Sequence, residues 1–393
     1  MTRAAWMVGL ALAAAMLGSN IPAPLYELYR QRFGFSTFAM TAVFATYPIA
    51  LIGALIACER VPDRIGRRAT LALGVLVSAL GAALFALAGG LSWLIAGRLA
   101  AALAIGLAGA AGAPLLVELR ADGDRRAAAL VATFALSLAC GLAPALSGSL
   151  AAAGIAPFTA AYAIDIAIAL GACAALIAFV PETRPAQVRV ARAPVRLDAG
   201  ARRAFAIAAL GSGIGWWVAS LFVSLVPSYL GALLGVRSPA VGGVLALIVF
   251  AVSPLAMFAL RTRDERVTLR WGMALTIVAL AGILTAVPAR SLALFTIATF
   301  VAGIAQGASF FGAQTMINRL GTPEERARVG ARFYAITYLM IGVPVLAMGA
   351  LATGFGLFAA FAIVGGLYAV VALGVLIAAG APRARSAATE RAA

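Results

Sequence analysis

Histidine and lysine are absent from these 393 residues, and acids are scarce, with 14 Asp and Glu set against 30 basic residues that are all arginine. Without an imidazole, and with no acidic cluster, the chain lacks the usual means of holding a catalytic metal or acting as a general base. Its three cysteines, Cys58, Cys140 and Cys173, lie in or at the edge of apolar segments with no paired spacing, so they are expected to be small packing residues. No glycine-rich phosphate-binding loop is present, which argues against direct nucleotide-driven pumping. No cofactor and no metal are expected. Charge of any kind is thin: 11% of residues are charged and 64% are hydrophobic, whereas soluble domains are about a quarter charged.

What fills the chain is long apolar runs. A helix crossing a hydrocarbon core about 30 Å thick needs about 20 apolar residues, and the sequence supplies that length twelve times, near 5–25, 38–58, 69–89, 91–116, 127–151 and 158–180, then 204–231, 238–260, 268–288, 291–316, 329–353 and 356–380. The first run, after Met1-Thr2-Arg3, has the outline of a secretory signal peptide. The eleven runs that follow favour a first spanning helix.

A formal net charge of +16 would point to nucleic acid in a soluble protein, but here the arginines sit in short stretches between apolar runs. With the N-terminus inside, twenty-five of them fall in cytoplasmic segments and only Arg30, Arg32, Arg237 and Arg290 in outer loops. Positive loops are retained on the cytoplasmic side, which predicts a multi-pass protein of the bacterial inner membrane with both termini in the cytoplasm. The longest polar interval, 181–203, is rich in Pro and Arg and reads as a linker between two six-helix halves, 1–180 and 204–380, with 381–393 as a cytoplasmic tail. An internal repeat supports that division. Asp124-Arg125-Arg126-Ala127 recurs as Glu324-Glu325-Arg326-Ala327, and Phe134 and Pro144 recur as Tyr334 and Pro344 at the same offset of 200.

Between the second and third runs lies Asp63-Arg64-Ile65-Gly66-Arg67-Arg68, where Gly permits a tight turn and the arginines hold the inner face. Here the chain resembles the major facilitator superfamily, whose loop pattern is matched at Asp63, Arg64, Gly66, Arg67 and Arg68 but carries Glu59 in place of its opening Gly. Leu25-Tyr26 through Phe33-Gly34-Phe35-Ser36 and Pro181-Glu182-Thr183 fit the same resemblance. It implies an all-α fold of twelve helices in two pseudo-symmetric bundles around a central cavity, working as a carrier by alternating access. It also implies that Asp63 engages the opposite half and helps to hold the inner gate shut; the plainer reading of the loop is a solvated turn that only sets topology. In the fifth helix Gly141, Pro144 and Gly148 look like a degenerate form of a Gly/Pro motif typical of antiporters, with ordinary small-residue packing as the alternative.

Two charges lie well inside the apolar runs, Arg98 and Asp165. An intramembrane charge costs about 3 kcal/mol upward, so each needs a partner, water or a role. Many drug exporters of the family that the chain resembles carry an Arg in this part of the fourth helix. Arg98 is a candidate to bind a substrate anion or tune a carboxyl; otherwise it is a buried structural pair or snorkels outward. Asp165 is a candidate for proton coupling or for an ion pair with Arg98. Asn20 and Tyr26 on the first helix, Trp216 and Trp217 on the seventh, Gln306 and Phe310 on the tenth and Tyr338 on the eleventh are candidate cavity residues, with Phe311, Gln314 and Tyr334 beside them. Such a lining suits aromatic or amphipathic ligands, with cations favoured over ring faces.

The resemblance and these residues together lead to a proton-driven exporter of small hydrophobic or drug-like molecules. A carrier of sugars or other metabolites is the closest rival. A membrane enzyme lacks its catalytic groups, and a sensor lacks a soluble output domain. Partners are expected to be a small-molecule substrate, the proton and the lipid bilayer, with no nucleic acid, and the chain is expected to be a monomer.

Overall fold

The computed structural model describes residues 3–119, 125–183, 197–321 and 325–380; side chains are not described at 126–133, 326 and 327, nor that of Arg125. It is helical throughout, with no strand among the described residues. Among the described residues, twelve helices are long and apolar enough to span a membrane. They are α1 (Arg3–Asn20), α2 (Thr37–Cys58), α3 (Arg67–Ala86), α4 (Leu91–Glu118), α5 (Arg125–Ala152), α6 (Ala160–Phe179), α7 (Ala199–Ser224), α8 (Pro239–Ala259), α9 (Glu265–Ala286), α10 (Leu292–Asn318), α11 (Arg326–Phe355) and α12 (Leu357–Gly380). Only helices satisfy every backbone group within a single segment, as lipid requires. The ends are closed by side chains the sequence supplies at the right places: Ser36 caps α2, Asp198 caps α7, Asp264 caps α9 and Ser291 caps α10, each accepting a backbone N–H. Large apolar side chains such as Ile56, Leu87 and Val370 stand on the outer surface about two-thirds exposed, where only lipid would cover them.

The count of twelve agrees with the sequence reading; two spans differ in a telling way. The first run breaks after Asn20, where Pro22 and Pro24 interrupt the hydrogen-bond ladder, passes through a 3-10 turn at Ala23–Leu25, and resumes as a short helix Tyr26–Phe33. The seventh breaks at Leu225 and resumes as Val226–Leu233, with Pro227 in its first turn. The two short helices are 200 residues apart at both ends, and each is followed by a left-handed glycine, Gly34 and Gly235, both at φ 70°. The repeat thus extends to the irregular elements. Of the sequence features that first suggested it, Asp124 and Glu324 lie outside the described residues, as do 184–196 of the linker and the tail 381–393. The described part of the linker is shorter than expected, since α7 begins at Ala199.

Within the halves, α4 packs on α2 and α3, and α10 packs correspondingly on α8 and α9. The ends of these pairs are tied by ion pairs of reversed polarity. Arg67 at the start of α3 meets Glu118 at the end of α4 at 3.2 Å, whereas Glu265 at the start of α9 meets Arg319 just past α10 at 2.7 Å.

Between the halves, the extensive contacts are α5 with α8 and α2 with α11. Small residues let these backbones touch. Gly148 lies against the Pro239 carbonyl and Gly243 against the Pro144 carbonyl, so neither position has room for a side chain, while Gly141 faces Leu247 and Phe250. On the other seam Gly349 lies against Thr41 and Gly342 against Pro48 and Ile49. All these approaches run from mid-helix to the end of the bundle away from the termini.

Candidate substrate site and gating elements

Arg98 sits on α4 about 10 Å below the end away from the termini, at about 1.5 Å per residue. It is buried at 3% exposure and forms no ion pair among the described residues. Its NH1 group donates to the Ser19 carbonyl of α1 at 2.5 Å, and its guanidinium lies 5.3–5.4 Å from the ring centres of Tyr26, Phe44 and Tyr47. Three aromatic faces stand in for the missing counter-charge. Beside it the half-buried Asn20 donates to the Met16 carbonyl and to the Cys140 sulfur. From the opposite half Tyr338 reaches within electrostatic range of Tyr47 and Cys140, so this cluster is where the halves meet around Arg98. Tyr47 was not singled out from sequence; its signal is an aromatic residue directly before Pro48 on a helix of the inter-half seam.

The second half presents a matching aromatic wall. Trp216 is half-buried, edge-on to Phe310 at 5.6 Å and tilted against Phe250 at 6.4 Å. Tyr334 stacks near Tyr338 and donates to Gln314 at 3.0 Å.

Several expected lining residues are elsewhere. Trp217 is fully buried and packs on Tyr368 of α12, ring centres 4.0 Å apart, whereas Trp216 meets Phe250 and Phe310, because adjacent helical residues point about 100° apart. Gln306 is buried between α10 and α8, where the Ser253 hydroxyl donates to its side-chain oxygen. Asp165 makes no pair with Arg98. It is 0% exposed on α6, with both carboxylate oxygens lacking any hydrogen-bond partner, and it lies against Gly18 of α1 and Ser78 of α3. It belongs to the interior of the first half, on another face of α1 from the Arg98 cluster.

The loop between α2 and α3 is held by its own half. Gly66 has φ 91°, and a Cβ there would strike the Glu182 carboxylate. That carboxylate accepts from the backbone N–H of Arg68 at 2.9 Å and Ala69 at 3.1 Å, capping α3. The Arg68 guanidinium in turn donates to the carbonyls of Val180 and Ile177 at the end of α6. Asp63 and Arg64 are exposed, and Asp63 has no hydrogen bond or ion pair among the described residues. Among the described residues Asp63 has no partner in the other half; positions 322–324 and the side chains of 326 and 327, at the start of α11, lie outside them.

At the end away from the termini the halves are latched. Ser228 of the short helix Val226–Leu233 donates to Glu27 of the short helix Tyr26–Phe33 at 3.0 Å, and Arg30 and Gln31 hold the same carboxylate. Tyr29, on the opposite face of that helix, anchors it by donating to the Phe85 carbonyl at 2.8 Å. A cavity of about 640 Å³ lies over the latch, lined by Glu27, Arg30, Thr37, Ser228 and Arg237 among others.

The fold is shared with solved transporters. A POT family transporter in complex with 5-aminolevulinic acid superposes with a TM-score of 0.78 at 12% identity, over 95% of each chain. A mutant of the peptide transporter POT gives 0.77 at 15% identity, over 95% of this chain and 93% of the other. A bacterial homolog of the human lysosomal transporter Spinster, inward-facing and unoccupied, gives 0.74 at 15% identity over 96% of each. No curated protein matches the sequence. The family model of the Major Facilitator Superfamily matches residues 8–295. With that match over most of its length and twelve helices in two pseudo-symmetric bundles, the chain belongs to the Major Facilitator Superfamily and is a multi-pass membrane transporter.

Proposed function

We propose that this transporter is a proton-coupled exporter of small aromatic or amphipathic compounds, with Arg98 in the substrate site and Asp165 as the proton-carrying group. The observation that carries the substrate class is the set of aromatic residues gathered where the halves meet, Phe44 and Tyr47 around Arg98 and Tyr338 with Tyr334 from the other half, together with the Trp216, Phe250 and Phe310 group of the second half. Such surfaces bind through area and ring faces, with few directional contacts. Asp165 supports proton coupling because it is a buried carboxyl with no counter-charge and no donor, and intramembrane acids of this kind mark proton paths. The close glycine approaches between the halves lie from mid-helix to the end away from the termini, which supports a state open toward the termini. By the arginine count that side is the cytoplasm of an inner-membrane protein.

The test is reconstitution into liposomes with an imposed pH gradient and a panel of lipophilic cations, arene carboxylates, antibiotics and sugars. Proton-driven movement of the aromatic compounds opposite to the proton flow is expected. Movement of sugars alone, or flux indifferent to the gradient, sinks the reading.

A further inference from the structure

We infer that the Arg98 cluster is an anion site, and that the physiological substrate carries a carboxylate or similar single negative charge on an aromatic body. The inference deepens the exporter reading by naming the substrate class, and rests on it only for the direction of transport. Arg98 can only donate, and the hydroxyls of Ser19 and Tyr26 can both donate. Arg98 Nε, the Ser19 hydroxyl and the Tyr26 hydroxyl are each buried with no hydrogen-bond partner, in residues that are 3%, 2% and 3% exposed. All three residues meet at one place, since Arg98 donates to Ser19 and lies over the Tyr26 ring. Buried donors are almost always satisfied, and three left open around a guanidinium without a carboxylate describe a site short of one acceptor and one negative charge.

The alternative occupant, a cation over the aromatic faces, meets a physical obstacle. The ring faces of Tyr26, Phe44 and Tyr47 nearest this point are already taken by the guanidinium, and a second cation beside Arg98 would be repelled at low dielectric. The one buried carboxyl of the first half among the described residues, Asp165, points elsewhere, against Gly18. An anion gains a charge-assisted bidentate partner, and Tyr338, which comes from the other half to Tyr47, offers a ring to its aromatic body.

A charge series on one scaffold tests this: 2-naphthoate, neutral 2-naphthamide and (2-naphthyl)methylammonium, titrated calorimetrically against the purified full chain in detergent, with protein-free micelles as the blank. The expected order is naphthoate tighter than the amide by tenfold or more, and the ammonium weakest. Arg98→Gln is expected to erase the preference while the amide still binds, and Tyr26→Phe to weaken naphthoate several-fold more than the amide. Equal affinity across the series, tightest binding of the ammonium, no binding of naphthoate, or an unchanged preference in Arg98→Gln overturns the inference. Should that variant not fold, the wild-type series and Tyr26→Phe decide. Calorimetry needs no pH gradient, so an intact naphthoate preference without proton-driven flux removes the exporter reading and leaves the anion site, while proton-driven flux of cations alone does the reverse.

Discussion

Asp165 and Gly66 show how much can depend on one atom's surroundings. Asp165 holds a proton-accepting group, fully buried and with no hydrogen-bond partner among the described residues. Asparagine has nearly the same volume and nothing to titrate, so Asp165→Asn is expected to exchange substrate between the two sides of a liposome yet lose pH-driven accumulation. One pH unit is worth about 1.4 kcal/mol per proton, so the wild type should sustain up to about a tenfold substrate gradient per coupled proton and the variant none. Unchanged accumulation removes Asp165 from the mechanism. Gly66 occupies backbone space that is essentially reserved for glycine, and a methyl group there meets the Glu182 cap. Gly66→Ala should therefore cost about 1–3 kcal/mol, read as a lower unfolding midpoint in detergent. The need for glycine in that turn was legible in the sequence. Its partner was not, because Glu182 arrives from the end of α6 more than a hundred residues later.

Among the elements, the two seams between the halves decide which state is populated. At α5–α8 the Gly243–Pro144 approach is backbone on backbone, so Gly243→Val should pry the halves apart at the end away from the termini. The native cysteines are buried, which leaves a cysteine introduced at Thr37, on the cavity over the latch, as the reporter. Its maleimide labelling should rise roughly tenfold in Gly243→Val, an equilibrium shift of about 1.4 kcal/mol; labelling that stays flat means the seam does not control the state. The milder Ser228→Ala removes one hydrogen bond to Glu27 and is expected to shift the same signal by less, since a partly exposed bond to a charged group contributes about 1 kcal/mol or below. The helices themselves were legible from apolar length, and the breaks in α1 and α7 could have been read from Pro22, Pro24 and Pro227. The seams could not, because Gly141, Pro144 and Gly148 look alike whether they face a helix of their own half or of the other.

The whole molecule is polarised across the membrane by its charges. Twelve spans place both termini on one face, and the arginines crowd that face. A cysteine introduced at Gln314, on the wall nearer the termini, should react with an impermeant maleimide in inside-out vesicles and at least several-fold less in intact cells; the opposite pattern inverts the topology. The central site was legible in its residue types and only partly in its membership. Asn20, Tyr26, Arg98 and Tyr338 gather around Tyr47 and Cys140, Trp216 and Phe310 pack on each other in the second half, and Trp217, Gln306 and Asp165 turn into the bundles, because helical phase between neighbours is set by tertiary contact that apolar runs do not encode.

The reversed ion pairs at the ends of α3–α4 and α9–α10 bear on how such a chain assembles. Two repeats of similar shape, delivered into one bilayer, offer each other's helices as false partners. A swapped assembly would set Arg67 against Arg319 and Glu118 against Glu265, like charge against like at both places, so the duplicated protein carries in four side chains a means of telling its first half from its second.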